Sequence, residues 1–283
     1  EDFQVDNDVL DKFRQKDSVP KKDTTKVLTT PKKAVSTKKR VSKKNKVKKA
    51  KIAKLKPVKK REVIKAQVKT PPAKSLYPED GYPESYKDFD LESEEFWNKY
   101  KPINIPGEKS VFSIKYAGIS TGNITIETKS STTLGDQEVF HYRARVKTSS
   151  YYSYLYEVDD ICDTFVRKDN FLPLKFSLIQ RESSQDIDDL QLFDHEKLKT
   201  YTFYKRVTKK KTKKSKKEKY IPRFFQDPLS VMYFIRGLPM TFGHTYSVPI
   251  INKGKAEIMT ITPRKIETID TEIGKKKAYK VTI

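Results

Sequence analysis

A single cysteine, Cys162, stands in 283 residues, so no internal disulfide staples this chain. That scarcity leaves the compartment open, since exported chains also do without cysteine pairs. No stretch approaches the roughly 20 apolar residues of a membrane-spanning helix. Three histidines, His141, His195 and His244, lie far apart, each on or beside an expected strand, and none has metal-ligand spacing. There is no GxGxxG, phosphate loop or nucleophile elbow. Cys162 has no sequence neighbour that would activate a thiol and reads as a small buried hydrophobe. No catalytic, metal-ligating or cofactor-binding residue is therefore assigned, and no cofactor is expected.

What is abundant is positive charge, unevenly placed. The formal charge of +23 comes from 60 Lys and Arg against 37 Asp and Glu. Residues 1–20 carry a net −3, residues 21–74 a net +20 and residues 205–219 a net +9, leaving −3 for everything else. Two runs thus hold the basicity, and the high isoelectric point says nothing about the surface of the folded body.

Those runs also organise the chain. Residues 1–20 alternate acids with Phe3, Val9, Leu10 and Phe13, a pattern consistent with a short amphipathic helix. Residues 21–74 contain no aromatic residue and too little apolar surface to offset the entropy of ordering, so a disordered tail is expected. A coil of that length spans roughly 40 Å r.m.s.. Residues 75–107 are acidic and aromatic, with turn signals at Pro78, Gly81 and Pro83 and a short helix expected over Leu91–Tyr100 carrying Phe96 and Trp97. They read as an arm packed on the domain that follows. The run "KRVTKKKTKKSKKEKYIPR" reads as a solvated loop, pushed outward by lysine repulsion.

From about residue 108 the hydrophobic period becomes two. "VFSIKY" aligns Phe112, Ile114 and Tyr116; "VFHYRARV" aligns Phe140, Tyr142, Ala144 and Val146; "PLKFSLI" aligns Leu174, Phe176 and Leu178. "HTYSVPII", "KAEIMTITP", "RKIETID" and "KKAYKVTI" follow as further strands. Alternation with short turn-rich links predicts antiparallel strands with one buried face. An all-β architecture over 108–283 is expected, a strongly curved, barrel-like or spiral sheet closed by one buried helix.

That helix is "DPLSVMYFIR". Asp227 suits the N-cap, Pro228 the first helical position and Gly237 a left-handed C′ position, which bounds a helix over 228–236. It is apolar nearly all round, so it reads as core packing, a plug across the open side of the sheet. Arg236 is its one buried charge and needs a carboxylate, with Asp159, Asp160 or Asp163 as candidates.

Three groups are candidates for function. Tyr152, Tyr154 and Tyr156 of "SSYYSYLYE" share one face of an expected strand and are candidate ligand-facing residues, although tyrosines on strands are most often half-buried packing. Lys38, Lys39, Arg40, Lys43, Lys44, Lys48 and Lys49 in the tail, with Lys209, Lys210, Lys211, Lys213 and Lys214 in the second run, are candidate anion-binding residues. Glu157, Asp159, Asp160 and Asp163 crowd "YEVDDICD" without the spacing of a calcium loop and read as a strand end and turn.

Three stretches, in order, resemble the family called domain of unknown function 3108, found in exported bacterial proteins. "GEKSVFSIKYAGISTGNITIE" is similar to its opening hairpin, with Gly118 and Gly122 in the link. "YEVDDICDTFVRKDNFLPLKFSLIQRE" is similar to its middle strands. "QDPLSVMYFIRGLPMTFGHTYSVPI" is similar to its helix and following strand, and is the most specific of the three. The resemblance covers roughly residues 107–283; the lysine-rich tail and the 205–219 run lie outside it. It implies export, a periplasmic or envelope setting and a curved β-rich body, loosely like periplasmic lipoprotein carriers. It implies no catalytic residue, because none is established for the family. The family pattern continues past Ile283, so further strands are expected beyond it, and any signal peptide would precede Glu1.

The expectation is therefore a non-enzymatic envelope protein. Its cationic segments would hold it against peptidoglycan or lipid headgroups, and its β-body would bind an apolar or glycan ligand or a protein partner. One rival is a nucleic-acid binder without sequence preference, acting by counterion release. Another is an envelope glycan hydrolase using two of the carboxylates of the 157–163 cluster, which must then stand roughly 5–9.5 Å apart in a cleft.

Overall fold

The computed structural model describes residues 11–16, 76–78 and 80–283. The expected disordered tail and its candidates, Lys38, Lys39, Arg40, Lys43, Lys44, Lys48 and Lys49, lie outside the described residues, as do Phe3, Val9 and Leu10.

Alternation in the sequence becomes an antiparallel meander. β1 (Gln15–Lys16), β2 (Lys109–Tyr116), β3 (Ile119–Leu134), β4 (Gln137–Thr148), β5 (Asp159–Arg167), β6 (Pro173–Glu182), β7 (Gln185–Asp194), β8 (Lys199–Thr208) and β9 (Thr212–Tyr220) form one nine-stranded sheet. β3 to β9 follow one another as neighbours, and the far edge of β3 is shared between β1 and β2. The β2–β3 turn places Ala117 and Gly118 at φ 47° and 81°. Two successive positive φ values are what a two-residue hairpin turn twisted like its strands requires. Gly122, in contrast, lies inside β3 rather than in the link.

A second, three-stranded antiparallel sheet holds β10 (Tyr246–Asn252), β11 (Lys255–Thr271) and β12 (Gly274–Thr282). "KAEIMTITP" and "RKIETID" are one strand, not two. Pro263 marks a register shift within β11, the kind of irregularity at which a sheet tolerates a residue without an N–H.

Neither sheet closes on itself or curls strongly, so the expected barrel-like closure is not found. After β9 the chain leaves the large sheet for the helix and then starts the small sheet. Among the described residues β9 ends the sheet, and its edge is lined with lysine, a composition that discourages further strand pairing.

The helix lies in the core rather than across an opening. α2 (Ser230–Phe234) is shorter than expected and tightens into a 3-10 turn over Ile235–Gly237. Asp227 caps it: its Oδ1 accepts from the backbone N–H groups of Leu229 and Ser230, both at 2.8 Å. Gly237 is required for a different reason from the one expected. Its φ is not positive; a Cβ there would lie 2.6 Å from the Lys101 carbonyl oxygen and the Tyr100 ring. The glycine lets the 100–101 segment cross the end of the helix.

That segment follows α1 (Glu84–Lys99), which is longer than the expected Leu91–Tyr100. Trp97 and Tyr100 stack on Phe234 with centroids 4.7 and 4.3 Å apart, and the Tyr100 hydroxyl donates to the Phe234 carbonyl. Tyr142 of β4 stacks on Tyr233 at 3.7 Å. The main core thus joins one sheet face, α1, α2 and the small sheet. A smaller cluster lies among Phe13, Leu134, Val139, Phe165, Leu174, Leu192 and Tyr201. Among the described residues no helix is long and apolar enough to cross a membrane.

Candidate functional site

Tyr152, Tyr154 and Tyr156 do not lie on a strand. β4 stops at Thr148, and residues 149–156 wind into helical turns closed by Ser153 N–H to Ser149 O (3.0 Å) and Tyr156 N–H to Tyr152 O (3.2 Å). Ser153 Oγ adds a bond to the Ser150 carbonyl. A serine-rich stretch that satisfies its own backbone has no need of a neighbouring strand. The period is then near four rather than two. Tyr152 and Tyr156 come together, and Tyr154 turns away with 73% of its surface exposed.

Tyr152, Leu155 and Tyr156 form one wall of a concavity of about 780 Å³. Ile114, Tyr116 and Ile119 of the β2–β3 hairpin form another, and Val146 and Val158 lie between them. Tyr156 is held in place by hydrogen bonds to Glu182 Oε2 (2.9 Å) and Ser184 Oγ (2.7 Å). Lys147 is the only ionised lining residue, and it sits 3.6 Å from Asp159. Tyr116 and Leu155 are 78% and 66% exposed. An apolar recess rimmed by open aromatic and aliphatic groups is a surface that a ligand or partner would cover.

The 205–219 run is not a loop. It forms most of the β8–β9 hairpin, with Lys209, Lys210 and Lys211 at the turn. Lys211 N–H donates to Thr208 Oγ1 (3.1 Å), and Thr208 N–H donates to the Lys211 carbonyl (3.0 Å). Lysine faces lysine across the ladder, as in Lys205 opposite Lys214. The repulsion is screened at an exposed edge, and the backbone bonds to β8 outweigh it. Residues 208–219 carry no apolar side chain and so no hydrophobic period, and the strand character of β9 was invisible in the sequence.

Pairing sorts the charge. Lys214 and Lys216 share a face with Lys205 and Phe203, while Lys213, Lys217 and Lys219 point to the opposite face. On the first face Lys175, Ile179, Leu190, Phe203, Lys205, Lys214 and Lys216 line a second groove, also of about 780 Å³. Its one acid with a groove-facing register, Asp188, is paired to Arg181 at 2.6 Å. Lys175 lies over the Phe165 ring at 5.5 Å, and burial lowers its pKa. Positive charge is therefore not confined to segments outside the folded body.

The acidic cluster is occupied by ion pairs and hydrogen bonds. Asp159 meets Arg145 in two hydrogen bonds of 2.7 and 2.6 Å, and these hold its pKa below the usual carboxylate range. Burial pushes Asp163 up, but bonds from His141 (2.6 Å) and Arg143 (2.8 and 3.0 Å) outweigh it and hold it low. Asp160 accepts from Gln180 and from the Arg181 backbone. A general acid needs the opposite shift. Neither these three aspartates nor Glu157 line the concavity beside Tyr152 and Tyr156.

Arg236 does not pair with that cluster. Glu108 holds it from two oxygens, at 2.7 and 3.3 Å, and the arginine side chain remains 30% exposed. Glu108 lies 128 positions away, in a stretch whose sequence marks only a turn. His195 is part-buried, stacked on Phe225 and bonded to the Pro173 carbonyl; desolvation brings its pKa down to about 4. Burial pushes the Cys162 thiol up, away from thiolate chemistry. Among the described residues no group of three or more His, Cys, Asp or Glu could hold a metal ion.

The model of the family described as "Protein of unknown function (DUF3108)" matches residues 111–283, and the chain belongs to that family. No curated protein and no solved structure matches it.

Proposed function

We propose that this DUF3108 member is a non-catalytic binding protein of the cell envelope. Its β-body holds an apolar ligand in the concavity beside Tyr152 and Tyr156, and its lysine-rich segments hold it against anionic envelope polymer. The observation that carries the reading is the wall made by Tyr152, Leu155 and Tyr156 against Tyr116 and Ile119, with one lysine already paired at its rim. Such a recess offers dispersion contacts and desolvation to an acyl chain and no positioned acid, base or nucleophile to a reacting bond.

Export rests on the family resemblance, and attachment rests on the charge of residues 21–74 and of the β8–β9 hairpin. Two measurements test the two halves. Displacement of an environment-sensitive apolar dye by a long-chain fatty acid reports on the concavity; a dye that stays bound in the Tyr152→Ala variant removes it as the site. Co-sedimentation with purified sacculi, with and without residues 21–74, reports on the tether; equal retention of both forms removes the tail from it.

Hairpin lysines without an ion-pair partner among the described residues also favour a second reading, non-specific nucleic-acid binding. That reading requires submicromolar gel-shift affinity at physiological salt and a steep loss of affinity as salt rises.

A further inference from the structure

We propose that the groove across β6–β9 is a binding site for an extended acidic glycan strand. The inference rests on the envelope-tether reading and gives that reading an ordered site and a ligand chemistry.

The groove crosses four adjacent strands, so it is about 14 Å wide in the hydrogen-bonding direction. Its floor is apolar: Leu190 of β7, the open Ile179 of β6 and Phe203 of β8. Its cations stand on either side. Lys214 and Lys216 are two residues apart on β9, about 7 Å along the strand. Lys205 faces Lys214 across the ladder, and Lys175 closes the β6 side. Lys205, Lys214 and Lys216 have no ion-pair partner among the described residues, whereas Asp188 beside them is already neutralised by Arg181.

Apolar floor and cationic walls match a particular polymer. The C–H faces of pyranose rings pack on an aromatic ring and on aliphatic side chains, while carboxylates of the same strand reach lysine ammonium groups as charge-assisted hydrogen bonds. Single-stranded nucleic acid is the weaker match, because successive bases stack on successive exposed rings. Here the floor carries one half-covered ring. A bilayer is also a weaker match, because Leu190 and Phe203 are part-buried and only Ile179 is open.

Lysine on an edge strand also serves to block further pairing. That role places charge on the edge without regard to face. A glycan site requires the groove face specifically, and this difference decides the experiment.

The full chain is labelled with a lysine-acetylating reagent in the presence and absence of polygalacturonate, and each site is read by mass spectrometry. The expected result is a loss of reactivity at Lys205, Lys214 and Lys216, with Lys213, Lys217 and Lys219 on the other face reacting at their free rates. In parallel, Lys205→Glu/Lys214→Glu is expected to weaken polygalacturonate binding about tenfold or more beyond Lys213→Glu/Lys217→Glu, two charge-assisted bonds being lost at equal change of net charge. Equal protection of both faces, no protection, or stronger protection by homothymidine DNA than by polygalacturonate overturns the proposal. The site-by-site readout is independent of residues 21–74. Failure at the groove is thus separable from failure of the tail, which the difference in sacculus retention with and without residues 21–74 reports.

Discussion

The Thr164 hydroxyl on β5 donates to Oδ2 of Asp227, the residue that caps α2. Both side chains are fully buried, so the sheet and the helix covering it are joined through one carboxylate. Burial raises the pKa of that carboxylate to about 6, against hydrogen bonds that lower it.

The pH consequence has a definite sign. A carboxylate raised on folding binds its proton more tightly in the folded state, so it stabilises below pH 4 and that contribution is lost as pH rises through about 6. His195, brought down to about 4, acts oppositely over the same interval. Comparison with Asp227→Asn isolates the aspartate, because asparagine keeps the cap without the charge. Urea unfolding from pH 4 to 7 is expected to show the stability gap moving by up to about 3 kcal/mol in favour of the asparagine variant. A constant gap would remove the linkage.

Gly237→Ala tests the crossing of the 100–101 segment over the end of the helix. The new methyl would meet backbone at 2.6 Å. A loss of about 1–3 kcal/mol is expected from overpacking, read as a lower unfolding midpoint. An unchanged midpoint would mean that Tyr100 and Lys101 move aside freely.

The Arg236–Glu108 pair joins the turn after α2 to the segment entering β2. It is part-exposed, so its coupling in a double-mutant cycle of Arg236→Met and Glu108→Gln is expected at about 1 kcal/mol. Additive single variants would show that the two side chains contribute independently.

Much of the fold was legible because burial and period coincide there. "VFHYRARV" places Tyr142 in the core, Arg143 opposite Asp163, and Arg145 on the same face, bonded diagonally to Asp159, as alternation requires. "DPLSVMYFIRG" carries a cap that the structure uses. Legibility failed where backbone hydrogen bonding, rather than side-chain burial, decides the structure. "TKKSKKEKY" is a strand because β8 offers it an edge. "SSYYSYLYE" is a pair of turns because its serines and backbone satisfy each other, although its tyrosines alternate like a strand. Long-range partners were equally hidden: nothing near Arg236 in the sequence points to Glu108.

The geometry of that tyrosine loop makes the apolar site separable residue by residue. Tyr152→Ala is expected to weaken binding of an apolar dye about tenfold or more, as burial of one large side chain implies. Tyr154→Ala, on the outer side of the turn, is expected to leave it unchanged. Equal losses would restore a shared strand face.

Hydroxyl-radical footprinting of the intact chain with a saturating long-chain fatty acid reads the same recess directly. The account predicts that Tyr116, Tyr152 and Tyr156 become protected while Tyr151 and Tyr154 keep their reactivity. Protection of none of them, or of all five alike, would contradict it.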